Sequence, residues 1–223
     1  MTGDATPVPA WMADLSGRFI VFEGPDGSGK TTQYNRFVDA CRGWGVDVVE
    51  AREPGGTVLG ERVREILLHP DHDEMSLRCE MLLYMASRAQ LVHEVIRPAL
   101  NAGKVVVADR FVQSTIAYQG ACESNGLGLS WDEIRRVADV VCQEVSADLV
   151  LIFDVDEATA SSRMNGDRDR IEQRDVAYRQ RVREAYRRMA REEPSRHVVI
   201  DACRDEDTIA REVIESIGRV VTA

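Results

Sequence analysis

Residues 24–31 read Gly24-Pro25-Asp26-Gly27-Ser28-Gly29-Lys30-Thr31, and this octapeptide decides the fold. It satisfies G-x-x-x-x-G-K-[ST] and lies between a short apolar run, RFIVFE at residues 18–23, and a helix-compatible stretch that begins at Lys30. Such a loop needs that context. Its glycines let consecutive backbone N–H groups turn inward on phosphate oxygens, and the N-terminus of the next helix adds partial positive charge. Lys30 then reaches the terminal phosphates, Thr31 offers a hydroxyl to a divalent cation, and the cradle is lined from Gly24 through Thr32.

Working outward, the same alternation repeats. RFIVFE is apolar almost throughout, as expected for a parallel strand buried on both faces. A helix over 30–44 is closed by Gly43 and Gly45, and residues 46–51 read as a second strand before the turn REPGGT at 52–57. A short amphipathic helix over 60–68, a polar loop, a longer helix over 76–100 and a strand over 104–108 follow. Helices near 113–123 and 131–144 flank SNGLGLS, a fourth strand covers 148–154, and helix, arginine-rich loop and helix fill 157–193. A fifth strand at 197–200 and a helix at 206–220 end the chain. Strands alternating with helices imply right-handed crossovers. The expectation is a three-layer α/β P-loop fold, a five-stranded parallel sheet with helices on both faces, plus a short arginine-rich lid at about 161–175. Residues 18–223 read as a single kinase-sized domain after a flexible lead over 1–17.

Composition narrows the classes. The 223 residues carry 28 Lys plus Arg against 38 Asp plus Glu, a net charge of −10, so a broad nucleic-acid-binding surface is not expected. Phosphate recognition must come from a local pocket. No apolar run approaches the roughly 18 residues that would cross a bilayer, so no membrane association is expected. Five widely spaced cysteines without a CxxC pair argue against a disulfide framework or zinc site and for a cytoplasmic setting.

Missing elements sort the P-loop classes further. A regulatory GTPase needs N-K-x-D to read guanine, but the only lysine outside the loop, Lys104, follows Gly103. Where a D-x-x-G switch would stand, the chain reads Asp109-Arg110-Phe111-Val112. The short chain favours a small phosphotransferase.

Several further motifs agree in order and spacing: FEGPDGSGKTT, REPGGT, Tyr84-Met85-Ala86-Ser87-Arg88, DRFVQSTIAYQG and DRIEQ. In this conjunction the chain resembles the bacterial thymidylate kinases, a family of nucleoside monophosphate kinases, through residues 18–220. The resemblance implies ATP-dependent phosphorylation of dTMP to dTDP in dTTP biosynthesis, with ATP and Mg²⁺, in a cytoplasmic homodimer. It places Lys30, Arg110 and Asp26 in catalysis together with the lid arginines Arg163, Arg168 and Arg170, any one of which can be the closing residue. It places Arg52, Glu53, Arg64 and Arg110 around the acceptor phosphate, with Tyr84 stacked on the base and Arg88 hydrogen-bonded to it. Thr115 and Gln119 belong near the base and Tyr118 beside the deoxyribose. Thr31 and Asp109 stand on the metal side, directly or through water.

Three positions depart from common family patterns. Tyr84 stands where many relatives have Phe, Phe111 where many have Tyr or His, and Gly27 where one branch carries an arginine. Two other readings stay open: a related kinase for another nucleotide or small metabolite, and a nucleotide-binding module without turnover. Tyr84, Arg88 and the AYQ segment count against the first, and the P-loop, Asp109-Arg110 and lid arginines together against the second.

Overall fold

The computed structural model describes residues 8–121, 128–164, 170–171 and 173–222. The five apolar runs form strands β1 (Phe19–Glu23), β2 (Val48–Arg52), β3 (Val105–Asp109), β4 (Leu149–Asp154) and β5 (His197–Asp201). All pair in parallel, as the βαβ alternation requires, and the observed order is β2-β3-β1-β4-β5.

Side chains alternate across a strand, so each central strand feeds two cores. Phe19 and Val21 of β1, with Val106, Ala108, Val150 and Ile152, pack under α3 (Leu77–Leu91), α5 (Val112–Gln119), α6 (Trp131–Cys142) and α8 (Val176–Glu192). Ile20 and Phe22, with Val107, Leu151 and Phe153, pack under α1 (Lys30–Gly43) and α9 (Glu206–Val221). The three-layer α/β arrangement with helices on both faces is therefore the observed one. α2 (Val58–Leu68) packs on α3, and α7 (Glu157–Arg163) on α8.

Two stretches differ from the sequence expectation. The single helix expected over 76–100 is α3, a π-helical turn at Val92–Ile96, and α4 (Arg97–Asn101). Pro98, in the first turn of α4, has no N–H to continue the i→i−4 ladder, which accounts for the break. Residues 10–15, expected to belong to a flexible lead, instead form a 3₁₀ helix, because the lead carries its own apolar anchors. Leu15 is fully buried, Trp11 meets Trp44 edge-on at 5.9 Å, and Trp11 lies so close to α9 that a Cβ on Gly218 would fall 2.4 Å from it. Residues 1–7 of that lead and most of the segment carrying Arg168 lie outside the described residues.

The parallel strands bring their C-terminal ends to one edge of the sheet. There the P-loop follows β1, Arg52 ends β2, and Asp109 ends β3. Ligands of open α/β sheets gather at this edge.

Candidate active site

The P-loop enters α1 through Gly29, whose left-handed φ of 76° turns the chain into the helix. Gly27 also has φ 76°, and a Cβ there would lie 2.5 Å from the Ala160 carbonyl oxygen. Only glycine fits that close approach of loop to α7. The loop separates two cavities. One, of about 460 Å³, is lined by residues 25–33, Arg163, Glu206 and Ile209. The other, of about 220 Å³, runs from the P-loop past Arg52, Arg64, Tyr84, Arg110 and Tyr118 to Gln119 and Ile171. Asp26, Lys30 and Thr31 line both.

Charges at this junction hold one another in place. Lys30 Nζ pairs with Asp109 Oδ1. Burial, reinforced by Arg110, holds the Lys30 ammonium below the usual lysine range, with Asp109 opposing. Arg110 pairs with Asp26 Oδ1 and donates from Nη1 to the Gly24 carbonyl and Ser114 Oγ, both at 3.1 Å. Its φ of 73° is the left-handed region, which a non-glycine residue adopts only when its surroundings hold it there. Glu23 does much of that holding: wholly buried, it accepts from Phe111 N at 2.7 Å, Ser114 N at 3.1 Å, Ser114 Oγ at 2.7 Å and Tyr186 OH at 2.9 Å. It thereby caps the N-terminus of α5 from a neighbouring strand, where Phe111 offers no capping side chain. Burial pushes the Tyr118 hydroxyl well up, so it stays a donor, to Asp26 Oδ2 at 3.1 Å, while its ring lies under Arg110 at 5.2 Å.

The wall of the smaller cavity beyond this junction is built differently. Arg88 is fully buried behind the wall and does not line the cavity. Its fork grips Glu53, Nε at 2.9 Å and Nη2 at 2.6 Å from Oε2, and Nη2 also meets the Phe111 carbonyl at 2.9 Å and Thr115 Oγ1 at 3.0 Å. Burial pushes the Glu53 carboxyl up to about 7, with Arg88 pulling against it. Glu80, in the first turn of α3 and fully buried, accepts from Gln119 Nε2 at 2.8 Å and pairs with Arg170 at 2.5 Å and Arg174 at 3.5 Å.

The remaining expected site residues fall as follows. Arg52 lines the smaller cavity and pairs with Glu61 at 2.8 Å, and Arg64 reaches the Pro54 carbonyl at 3.0 Å. Tyr84, Thr115, Tyr118 and Gln119 share that cavity. Among the lid arginines, Arg163 ends α7 beside the P-loop, within 3.7 Å of where a Gly29 Cβ would stand, and donates to the Ala202 carbonyl at 2.8 Å. Arg170 turns the other way, toward Glu80 and the Leu67 carbonyl at 3.0 Å, so the structure does not bring it to the P-loop. Arg168 lies outside the described residues.

Sequence reasoning left out Glu23, Glu80, Ser114 and Tyr186. Glu80 did carry a signal: residues 80, 84 and 88 stand four apart and share one face of α3 with the expected base-wall pair.

Thr31 and Asp109 are two oxygen donors at the junction, a set that suits a hard cation whose other positions go to water and phosphate. The residues present fit Mg²⁺.

A P-loop opening onto two cavities that share one wall, with arginines beside it, defines the class: a P-loop phosphotransferase. The thymidylate kinase family matches the chain over residues 22–213. The thymidylate kinase of Exiguobacterium sp. (strain ATCC BAA-1283 / AT1b) is 46% identical over 203 residues, 90% of this chain and 94% of that one. That of Deinococcus radiodurans is 45% identical over 204 residues, 91% and 97% of the two chains. The crystal structure of thymidylate kinase from Ehrlichia chaffeensis superposes with a TM-score of 0.72 at 33% identity, covering 90% of this chain and 97% of that one. The chain belongs to the thymidylate kinase family.

Proposed function

We propose that the protein transfers the terminal phosphoryl group of ATP to dTMP, giving ADP and dTDP. One observation carries the reading: Asp26, Lys30 and Thr31 line both cavities, so a donor in the larger and an acceptor in the smaller meet at a common wall. The acceptor is a phosphate oxygen already anionic near pH 7, so no strong base is needed, and catalysis is positioning and neutralisation of charge. A bond forms from that oxygen to the γ-phosphorus as the bridge to ADP breaks.

The chain's own residues supply most of the positive charge. Backbone N–H groups of the P-loop and Lys30 take the donor phosphates, and Lys30 leaves Asp109 as they enter. Arg110 exchanges Asp26 for phosphate oxygens of the two nucleotides, its fork suited to bidentate contact. Arg163 approaches from the donor side and Arg52 and Arg64 from the acceptor side. Arg168 belongs to the lid on the resemblance alone. Thr31 and Asp109, directly or through water, would hold Mg²⁺, which would supply charge neutralisation at the phosphates. Tyr84 stacks on thymine, with its added hydroxyl toward water or a polar neighbour. Tyr118 crowds the position of a 2′-hydroxyl.

We further read residues 18–223 as one cytoplasmic kinase domain with a lid at about 161–175, working as a homodimer. Exposed Val58, Leu59 and Ile66 on α2, beside Leu82 on α3, support the dimer; sedimentation at micromolar concentration tests it, a monomer counting against it. The function itself is tested by ADP release with ATP and Mg²⁺ across dTMP, dUMP, dCMP, AMP and GMP. Strong preference for dTMP is the expected result. Faster turnover with dCMP or a purine nucleotide would overturn the substrate assignment.

A further inference from the structure

The Glu80 cluster is larger than a lid contact requires. Glu80 sits wholly buried behind Gln119, a lining residue of the smaller cavity, one α3 turn before Tyr84, and joins three elements there. Gln119 donates to its Oε1 from the end of α5, and Arg170 and Arg174 press on its Oε2. Arg170 in turn anchors to the Leu67 carbonyl on α2, and the residues next to this anchor, Leu68 and Ile171, line the same cavity as Gln119.

The chemistry of this contact is directional. A carboxylate facing two guanidinium groups offers acceptors only, so the Gln119 amide must meet it with its NH₂ end. The amide oxygen is then the end left for the cavity that Gln119 lines. An acceptor at that place matches a pyrimidine bearing N–H at ring position 3, as in thymine or uracil. It opposes cytosine, whose ring nitrogen at that position is itself an acceptor.

We propose that Glu80 is a specificity-determining positioning residue, which orients the Gln119 amide so that its oxygen selects a base with N–H at position 3. The inference rests on the dTMP reading above and adds to it a residue that never touches the nucleotide. Leaving two acceptors face to face is the kind of mismatch that separates analogues strongly, because a buried polar group then goes unpaired.

The isosteric Glu80→Gln variant tests this. Arg170 claims the new amide's oxygen, its NH₂ then faces Gln119, and the Gln119 amide turns over. The ratio of kcat/KM for dTMP to that for dCMP should fall at least about tenfold, with the dTMP KM rising and dCMP turnover gaining in absolute terms. Arg170→Met removes the lid anchor but leaves Glu80 facing Gln119, so its ratio should stay within about twofold of the parent even as activity falls. An unchanged ratio in Glu80→Gln, or an equal collapse in Arg170→Met, overturns the proposal. If Glu80→Gln does not fold, Glu80→Asp keeps the charge opposite Arg170 while withdrawing from Gln119, and a parental ratio in that variant overturns it equally. A parent enzyme that does not prefer dTMP overturns the substrate reading instead, which the wild-type assay alone reveals.

Discussion

The two ends of the acceptor cavity use the same residue types to opposite effect. At the phosphate end, Arg110 and Asp26 keep 16% and 30% of their side chains exposed, Lys30 lines both cavities, and its partner Asp109 lines the smaller. In the wall running toward the base end, the side chains of Arg88 and of Glu53, itself a lining residue, are exposed by only 1% and 3%, and Glu80 is wholly enclosed. An ion pair that lines a cavity can exchange a carboxylate for a phosphate, because the incoming anion takes the place of the one released. A sealed pair cannot, because separating it strands a charge in low dielectric. The open pairs are therefore read as working charges and the sealed ones as scaffolding, which gives each end its own mutational signature.

Lys30→Met should show the largest effect: turnover down by roughly 10³-fold or more, as for loss of a principal charge on the transferring group, with the thermal midpoint close to the parent's. ADP release and a thermal melt on the same sample check both halves; activity within a few fold of the parent would break the comparison from the phosphate side. Glu53→Ala should show the converse. It leaves Arg88 buried without its partner, so a loss of about 3–5 kcal/mol in denaturant unfolding is expected, with activity lost in step with folded protein. A change below about 1 kcal/mol would mean that the pair is not scaffolding.

Glu23→Ala belongs to both classes. It frees the turn that holds Arg110 at φ 73° and removes four accepted hydrogen bonds, so about 2–3 kcal/mol of stability should go, together with more turnover than the folded fraction explains. The smallest effect is expected at the solvent-facing Arg62–Glu65 pair, 3.0 Å apart on α2, where Arg62→Ala should change stability by less than about 0.5 kcal/mol and leave turnover alone.

The open end was the legible one. The P-loop, Asp109-Arg110 and Arg52 are local patterns whose chemistry follows from a strand end or a helix start, and the parallel pairing follows from alternation with right-handed crossovers, which leaves the strand order open. The sealed contacts at both ends depend on partners far apart in sequence. Glu53 meets Arg88 35 residues on, Glu80 meets Gln119 39 residues on, and Tyr186 meets Glu23 across 163. A run of arginines in a loop announces charge but not direction, which is why Arg163 and Arg170 read alike in the sequence yet face the P-loop and Glu80 respectively. The lead over residues 1–17 read as loose because its two prolines and two aspartates outweighed two apolar anchors, Trp11 and Leu15, whose receptors lie elsewhere in the chain.

The account's central claim is that two nucleotides approach one P-loop wall from opposite cavities. Inhibition by a single molecule carrying adenosine and thymidine on the two ends of a five-phosphate chain tests it most directly. The account predicts competition with both ATP and dTMP and tighter binding than either nucleotide alone. Competition with only one of them would contradict it.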